Sequence, residues 1–116
     1  MNLNEIIKKL NLEIITAKDR LDVQITGGYA SDLLSDVIAN TVKGNIWLTL
    51  QTHQNIVAVA ILKELSGIIL VNNRKPEEET IKKAQQENVP ILISKLSTFE
   101  LAGQLYQLGI KASQKC

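Results

Sequence analysis

The middle of the chain decides the fold. Ile46-Trp47-Leu48-Thr49-Leu50 is a continuous apolar run of strand length. A polar connection follows, Gln51-Thr52-His53-Gln54, and then Asn55 to Leu65, which contains no helix breaker. Gly67-Ile68-Ile69-Leu70-Val71 is a second short apolar run. Runs of this kind suit strands covered on both faces, and a breaker-free segment of about eleven residues between two of them suits a crossover helix. The unit is strand, helix, strand.

The alternation continues in both directions. Downstream, Pro76 sits where a helix begins, and Glu77, Glu78 and Glu79 follow at the positive end of its dipole. Asn88 and Pro90 bracket the exit, and Ile91-Leu92-Ile93 reads as a third buried strand. Ser97 and Glu100 have the spacing of a capping box, with Leu96 and Leu101 placed as its hydrophobic staple. Gly109 can end that last helix in the left-handed conformation, with Ile110 packing behind it. Upstream, Leu3, Ile6, Ile7 and Leu10 form one apolar helix face, capped by Asn2 with Glu5. Leu12 to Ile15 and Val23-Gln24-Ile25 read as short strands, the second ended by a tight Gly27-Gly28 loop. Ser31 reads as the cap of a helix whose stripe is Leu33, Leu34, Val37 and Ile38. The order predicts a single α/β domain: a small parallel or mixed sheet flanked by helices, over residues 1–110, with 111–116 as a C-terminal tail.

Composition agrees with one ordinary core. The 116 residues are 45% hydrophobic and 22% charged, near the globular average. Net charge is +1, and aromatics are 3%. Such a chain offers neither the basic field nor the stacking platform of a nucleic-acid binder, so no nucleic-acid partner is expected. The longest apolar run, Ile56 to Leu62, is far short of the ~20 residues of a membrane helix. Met1 to Glu5 shows no secretory pattern, and the single Cys116 suits a reducing compartment. A soluble cytoplasmic protein with no membrane partner is expected.

Chemistry is expected at the carboxyl ends of the strands, where open α/β sheets bind ligands. The polar connections there supply Gly27, Gly28 and Asp32, then Gln51, Thr52 and His53, then Asn72 and Asn73, then Ser97 and Thr98. The same residue types also cap helices, so pocket and cap are the two readings of this set. Gly27-Gly28 could bring backbone close to a phosphate, or simply turn the chain. No Walker loop and no dinucleotide fingerprint is present. His53 is the only histidine, without the partners of a zinc site or a nucleophile-elbow motif beside it. No catalytic residue, metal or cofactor is therefore expected. The helix from Asn55 is apolar on nearly every side, which marks Ile56, Val59 and Ala60 as candidates for contact with a second subunit.

Three stretches resemble the DRTGG domain family: Gly27 to Val37, Trp47 to Ile56, and Gly67 to Asn73 with Val89 to Ile93. The resemblance runs from about Asn4 to Ile110 and points to the stand-alone bacterial members, similar in fold to the N-terminal domain of HPr kinase. The loop Leu50-Gln51-Thr52-His53 departs from the Gly-Gly-Asp-Arg-like segment expected of many members. The family also accompanies CBS domains in regulated pyrophosphatases and occurs in some phosphate acetyltransferases. The resemblance implies a non-catalytic regulatory module that self-associates as a homodimer. The polar edge residues, rather than the resemblance, suggest its partner: a small polar metabolite, with nucleotides among the candidates. The alternative is a dimeric scaffold that docks a protein partner and takes no small ligand.

Overall fold

The computed structural model describes residues 1–113. The first helix, α1 (Leu3–Leu10), is closed by a reciprocal cap in which Asn2 accepts from the Glu5 amide at 3.0 Å and Glu5 accepts from the Asn2 amide at 3.2 Å. β1 (Glu13–Ile14), β2 (Gly27–Ala30), α2 (Leu34–Asn40), β3 (Asn45–Thr49), α3 (Asn55–Leu62), β4 (Gly67–Leu70), α4 (Glu78–Gln86), β5 (Ile91–Ile93) and α5 (Thr98–Gln107) follow. The five strands lie in the order β1-β5-β4-β3-β2. Four run parallel, and β1 pairs antiparallel with β5, so the sheet is mixed.

Each crossover from β2 to β5 moves one strand in the same direction, so right-handed connections set α2, α3 and α4 on one face. Strand alternation then divides the core. Trp47, Ile68, Leu70, Ile91 and Ile93 pack with α2, α3 and α4. Ile46, Leu48, Ile69, Val71 and Leu92 pack with α1 and α5 on the opposite face. The central strands are therefore apolar at nearly every position, as their sequences require. At the end of α5 the Ile110 amide donates to the Leu105 carbonyl and the Gly109 amide to Tyr106, a Schellman motif with Gly109 at φ +94°. Among the described residues no helix is long and apolar enough to cross a membrane.

The segment from 15 to 26 links β1 to β2, which stand at opposite edges of the sheet. It crosses below the amino ends of the strands. The Ile15 amide bonds to Ile91, the Arg20 side chain to the Asn88 carbonyl and the Thr26 amide to Gly44.

Several expectations are corrected. Val23 to Ile25 is not a sheet strand; it pairs with the chain's start, through an Asn2–Gln24 bridge and an Ile25 amide bond to Met1. The strand is instead Gly27–Ala30, so the two glycines lie within it rather than in a loop. The reason is close approach: a Cβ on Gly27 would collide with Ser113 Oγ and stand 2.8 Å from the Lys111 carbonyl. Residues 111–113, assigned to the tail, lie along β2, where the Gly28 amide donates to Lys111; Cys116 falls outside the described residues. α2 starts at Leu34, with Leu33 rather than Ser31 in the cap position. Leu33 and Ile38 are exposed, and only Val37 of the expected stripe is fully buried. α3 ends at Leu62, after which Glu64 turns left-handed and Leu65 folds back with its amide on the Ala60 carbonyl. Ile56, Val59 and Ala60 are buried in the chain's own core and face the sheet rather than a second subunit.

Candidate functional site

The carboxyl ends of β2, β3, β4 and β5 lead into Ser31-Asp32, Leu50 to Gln54, Val71 to Asn73 and Ser94 to Ser97. These connections lie along one edge of the sheet because the four strands are parallel. Eight of the ten sequence candidates fall there: Asp32, Gln51, Thr52, His53, Asn72, Asn73, Ser97 and Thr98. Gly27 and Gly28 do not. Gly27 pairs with Asn45, the first residue of β3, and so sits at the opposite end of the strands.

Most of the edge side chains hold the loops to one another. Asp32 Oδ1 accepts from Thr49 Oγ1 at 2.9 Å and from the Leu50 amide at 2.7 Å. Gln51 Nε2 returns a bond to the Asp32 carbonyl at 2.9 Å. Trp47 Nε1 donates to the Ser31 carbonyl at 2.8 Å. The loops after β2 and β3 are thus clasped as one unit. The Thr52 carbonyl accepts from Thr80 Oγ1 at 2.7 Å and from the Glu77 amide, which fixes the start of α4. Ser97 caps α5 by accepting from the Glu100 amide.

Asn72 and Asn73 have φ of 55° each, and the Arg74 amide bonds to the Val71 carbonyl. That is a type I′ turn, which asparagine tolerates better than other side-chain-bearing residues. The backbone of the turn is tied to the next loop, Asn72 to the Leu96 carbonyl at 2.8 Å and Asn73 to Ser94 at 2.7 Å. Both carboxamides are exposed and make no hydrogen bond to the described residues. His53 Nδ1 accepts from the Asn55 amide at 3.1 Å, so the neutral ring carries its proton on an exposed Nε2. The edge therefore presents one imidazole N–H and two carboxamides to solvent.

The carboxylates of Asp32 and Asp36, four residues apart, serve different partners. Asp36 accepts from the Tyr29 phenol at 2.9 Å and from Asn40 Nδ2 at 2.8 Å. That bond, with lesser contributions from burial and the Asp36 charge, raises the Tyr29 pKa above its ordinary value. Among the described residues no group of three or more His, Cys, Asp and Glu could hold a metal ion.

Hollows away from this edge were not anticipated from sequence, and two of them are defined by their lining. One of about 550 Å³ opens at the amino ends of the strands, between Arg20, Lys43, Ile61, Glu64 and Glu87. The other, about 230 Å³, is apolar and lies between β2 and α5, lined by Tyr29, Leu48, Leu105, Tyr106 and Ile110, and it includes Gly28. The Gly109-Ile110 turn, which carries the chain back toward β2, is the sequence signal for the second.

The DRTGG domain model matches residues 5–108. The chain belongs to the DRTGG domain family. A solved structure with the same fold is that of the CBS and DRTGG domains of the regulatory region of Clostridium perfringens pyrophosphatase, complexed with the activator diadenosine tetraphosphate. The two superpose with a TM-score of 0.68 at 17% identity, over 97% of this chain and 50% of that one. This DRTGG chain thus spans about half the length of that structure. No curated protein matches it.

Proposed function

We propose that this DRTGG protein is a non-catalytic, cytoplasmic regulatory module. It works as a homodimer and senses a small polar ligand at the carboxyl edge of its sheet. The observation that carries this reading is the set of unused hydrogen-bonding groups there: His53 Nε2, on a loop clasped by Asp32 and Gln51, and the Asn72 and Asn73 carboxamides, on a turn tied to Ser94 and Leu96. Loops that are tied to one another and carry free donors and acceptors suit recognition of a polar ligand. A nucleotide is the first class to test, since the C. perfringens regulatory region carries one.

A thermal-shift titration with adenine and guanine nucleotides and dinucleoside polyphosphates is the test. A ligand at about one hundred times its Kd adds about 2.7 kcal/mol, a rise in melting temperature on the order of 10 °C for a domain of this size. His53→Ala and Asn72→Gly should reduce that rise. An unmoved melting temperature across the panel overturns the sensing role.

The scaffold reading is favoured by one observation. Leu33 at the cap of α2, Ile38 on α2, and Ile61 and Leu62 on the adjoining α3 are all exposed aliphatics. It predicts a protein partner lost with Leu62→Glu and retained with Gln51→Ala.

A further inference from the structure

α5 carries an exposed face that is matched to itself. Phe99 is 91% exposed and Tyr106 54%. They stand seven residues apart, two helical turns, and so lie on one face about 10 Å apart along the axis. Between them are Ala102 and Gly103, the two smallest side chains of the helix. A Cβ on Gly103 would have no atom within 4 Å, so its lack of a side chain answers no crowding within the chain. Glycine in a helix interior is costly, and here nothing in the monomer explains it.

We propose that α5 is the homodimer surface, packed antiparallel against the α5 of a second copy about a two-fold axis between Ala102 and Gly103. The proposal rests on the dimeric reading above and names its interface. An axis there sets Phe99 of one copy against Tyr106 of the other and places Ala102 against Gly103, where the backbones can approach closely. It is the self-complementary arrangement that a two-fold interface requires. Tyr106 also lines the apolar hollow between β2 and α5, whose volume of about 230 Å³ accommodates an aromatic ring. Phe99 of the second copy is the ring that reaches it.

Charge supports the same pairing. Glu100 is the only charged residue of α5, and Lys111 borders the hollow. Neither is in an ion pair within the described chain. Phe99 seated in the hollow brings the adjoining Glu100 of one copy toward Lys111 of the other. The rings supply part of the area that a weak dimer needs. At about 200 Å² per aromatic side chain, the two rings offer about 300 Å² per copy. That is roughly half of what a weak interface needs, and the proposed dimer must bury the Ala102-Gly103 backbone and the walls of the hollow as well.

Sedimentation equilibrium of the full chain, over micromolar to millimolar concentration, is the test. The protein should dimerise, and Gly103→Glu should raise the dissociation constant about tenfold or more while leaving the melting temperature of the monomer equal or higher. Glu100→Lys and Lys111→Glu should each weaken the dimer, and the two together should restore it. A dimer indifferent to Gly103→Glu overturns the α5 surface, as does one dissociated only by Leu62→Glu, and each leaves the dimeric reading standing. A monomer throughout the range overturns the surface and the dimer together. The nucleotide melting shift is read independently, so sensing can survive either result.

Discussion

The Tyr29 phenol stands 2.9 Å from both carboxylate oxygens of Asp36 and so ties β2 to α2. The bond holds the phenol in its protonated form and raises its pKa in the folded state. A folded pKa above the unfolded value adds stability that is fully present below about pH 10 and is lost as pH rises through the folded pKa. Tyr29→Phe should therefore cost about 1 kcal/mol at neutral pH, a modest figure because the pair is partly exposed. The gap between the two proteins in urea unfolding should stay constant to about pH 10 and narrow above it. A gap of the same size at all alkaline pH values would refute the link.

Asp32 should matter to stability as well as to any ligand. Its carboxylate satisfies the hydroxyl of buried Thr49 and the Leu50 amide. Asp32→Ala should destabilise by about 1–3 kcal/mol, and Asp32→Asn, which keeps one carbonyl acceptor, by less than half of that. Urea unfolding of the two variants measures the difference, and equal losses would count against this role.

The Asn72-Asn73 turn separates backbone need from side-chain chemistry. Both residues are left-handed, so Asn72→Val should cost about 1–2 kcal/mol while Asn72→Gly should be close to neutral. The glycine variant keeps the turn and deletes only the carboxamide. If it melts like the parent yet loses the nucleotide shift, the carboxamide contacts ligand.

Thr16 joins the first edge strand to the sheet. Its hydroxyl donates to the Val89 carbonyl at 2.6 Å and accepts from the Ile91 amide at 2.9 Å, while 1% exposed. Thr16→Val keeps the shape and strands both groups. A loss of about 1–3 kcal/mol is expected in chemical unfolding.

The central strands and the last helix were legible because local signals and burial coincide. Ile91 to Ile93 is both an apolar run and a strand, and Ser97 caps α5 where its sequence placed the start. β2 was not legible, because glycine is poor in strands and Gly27-Gly28 becomes one only through what packs beside it. The alternation of Val23 to Ile25 is real, but it is spent on pairing with Met1 and Asn2. For α3, a helix apolar all round says nothing of which face meets the sheet, so Ile56, Val59 and Ala60 could not be told from Ile61 and Leu62. The polar edge could be placed from strand order alone. Which of its side chains are occupied could not, because the Asp32–Thr49 and Thr52–Thr80 bonds join residues 17 and 28 positions apart.

The crossing from 15 to 26 has a consequence for the order in which the molecule assembles. β3, β4 and β5 are joined by short crossovers and can associate while the rest of the chain is loose. β1 has nowhere to pair until β5 is in place, and β2 none until β3 is. The strap between them spans four strand gaps, about 19 Å, and its anchors at Asn88, Ile91 and Gly44 all belong to the later-numbered core. The amino-terminal 26 residues should thus be the last to lock and the first to open. In native-state hydrogen exchange, the amides of Ile15 and Thr26 should exchange through a smaller opening than those of Leu48 and Ile69. The expected order runs from the middle of the fold outward, with the segment before β2 closing it last.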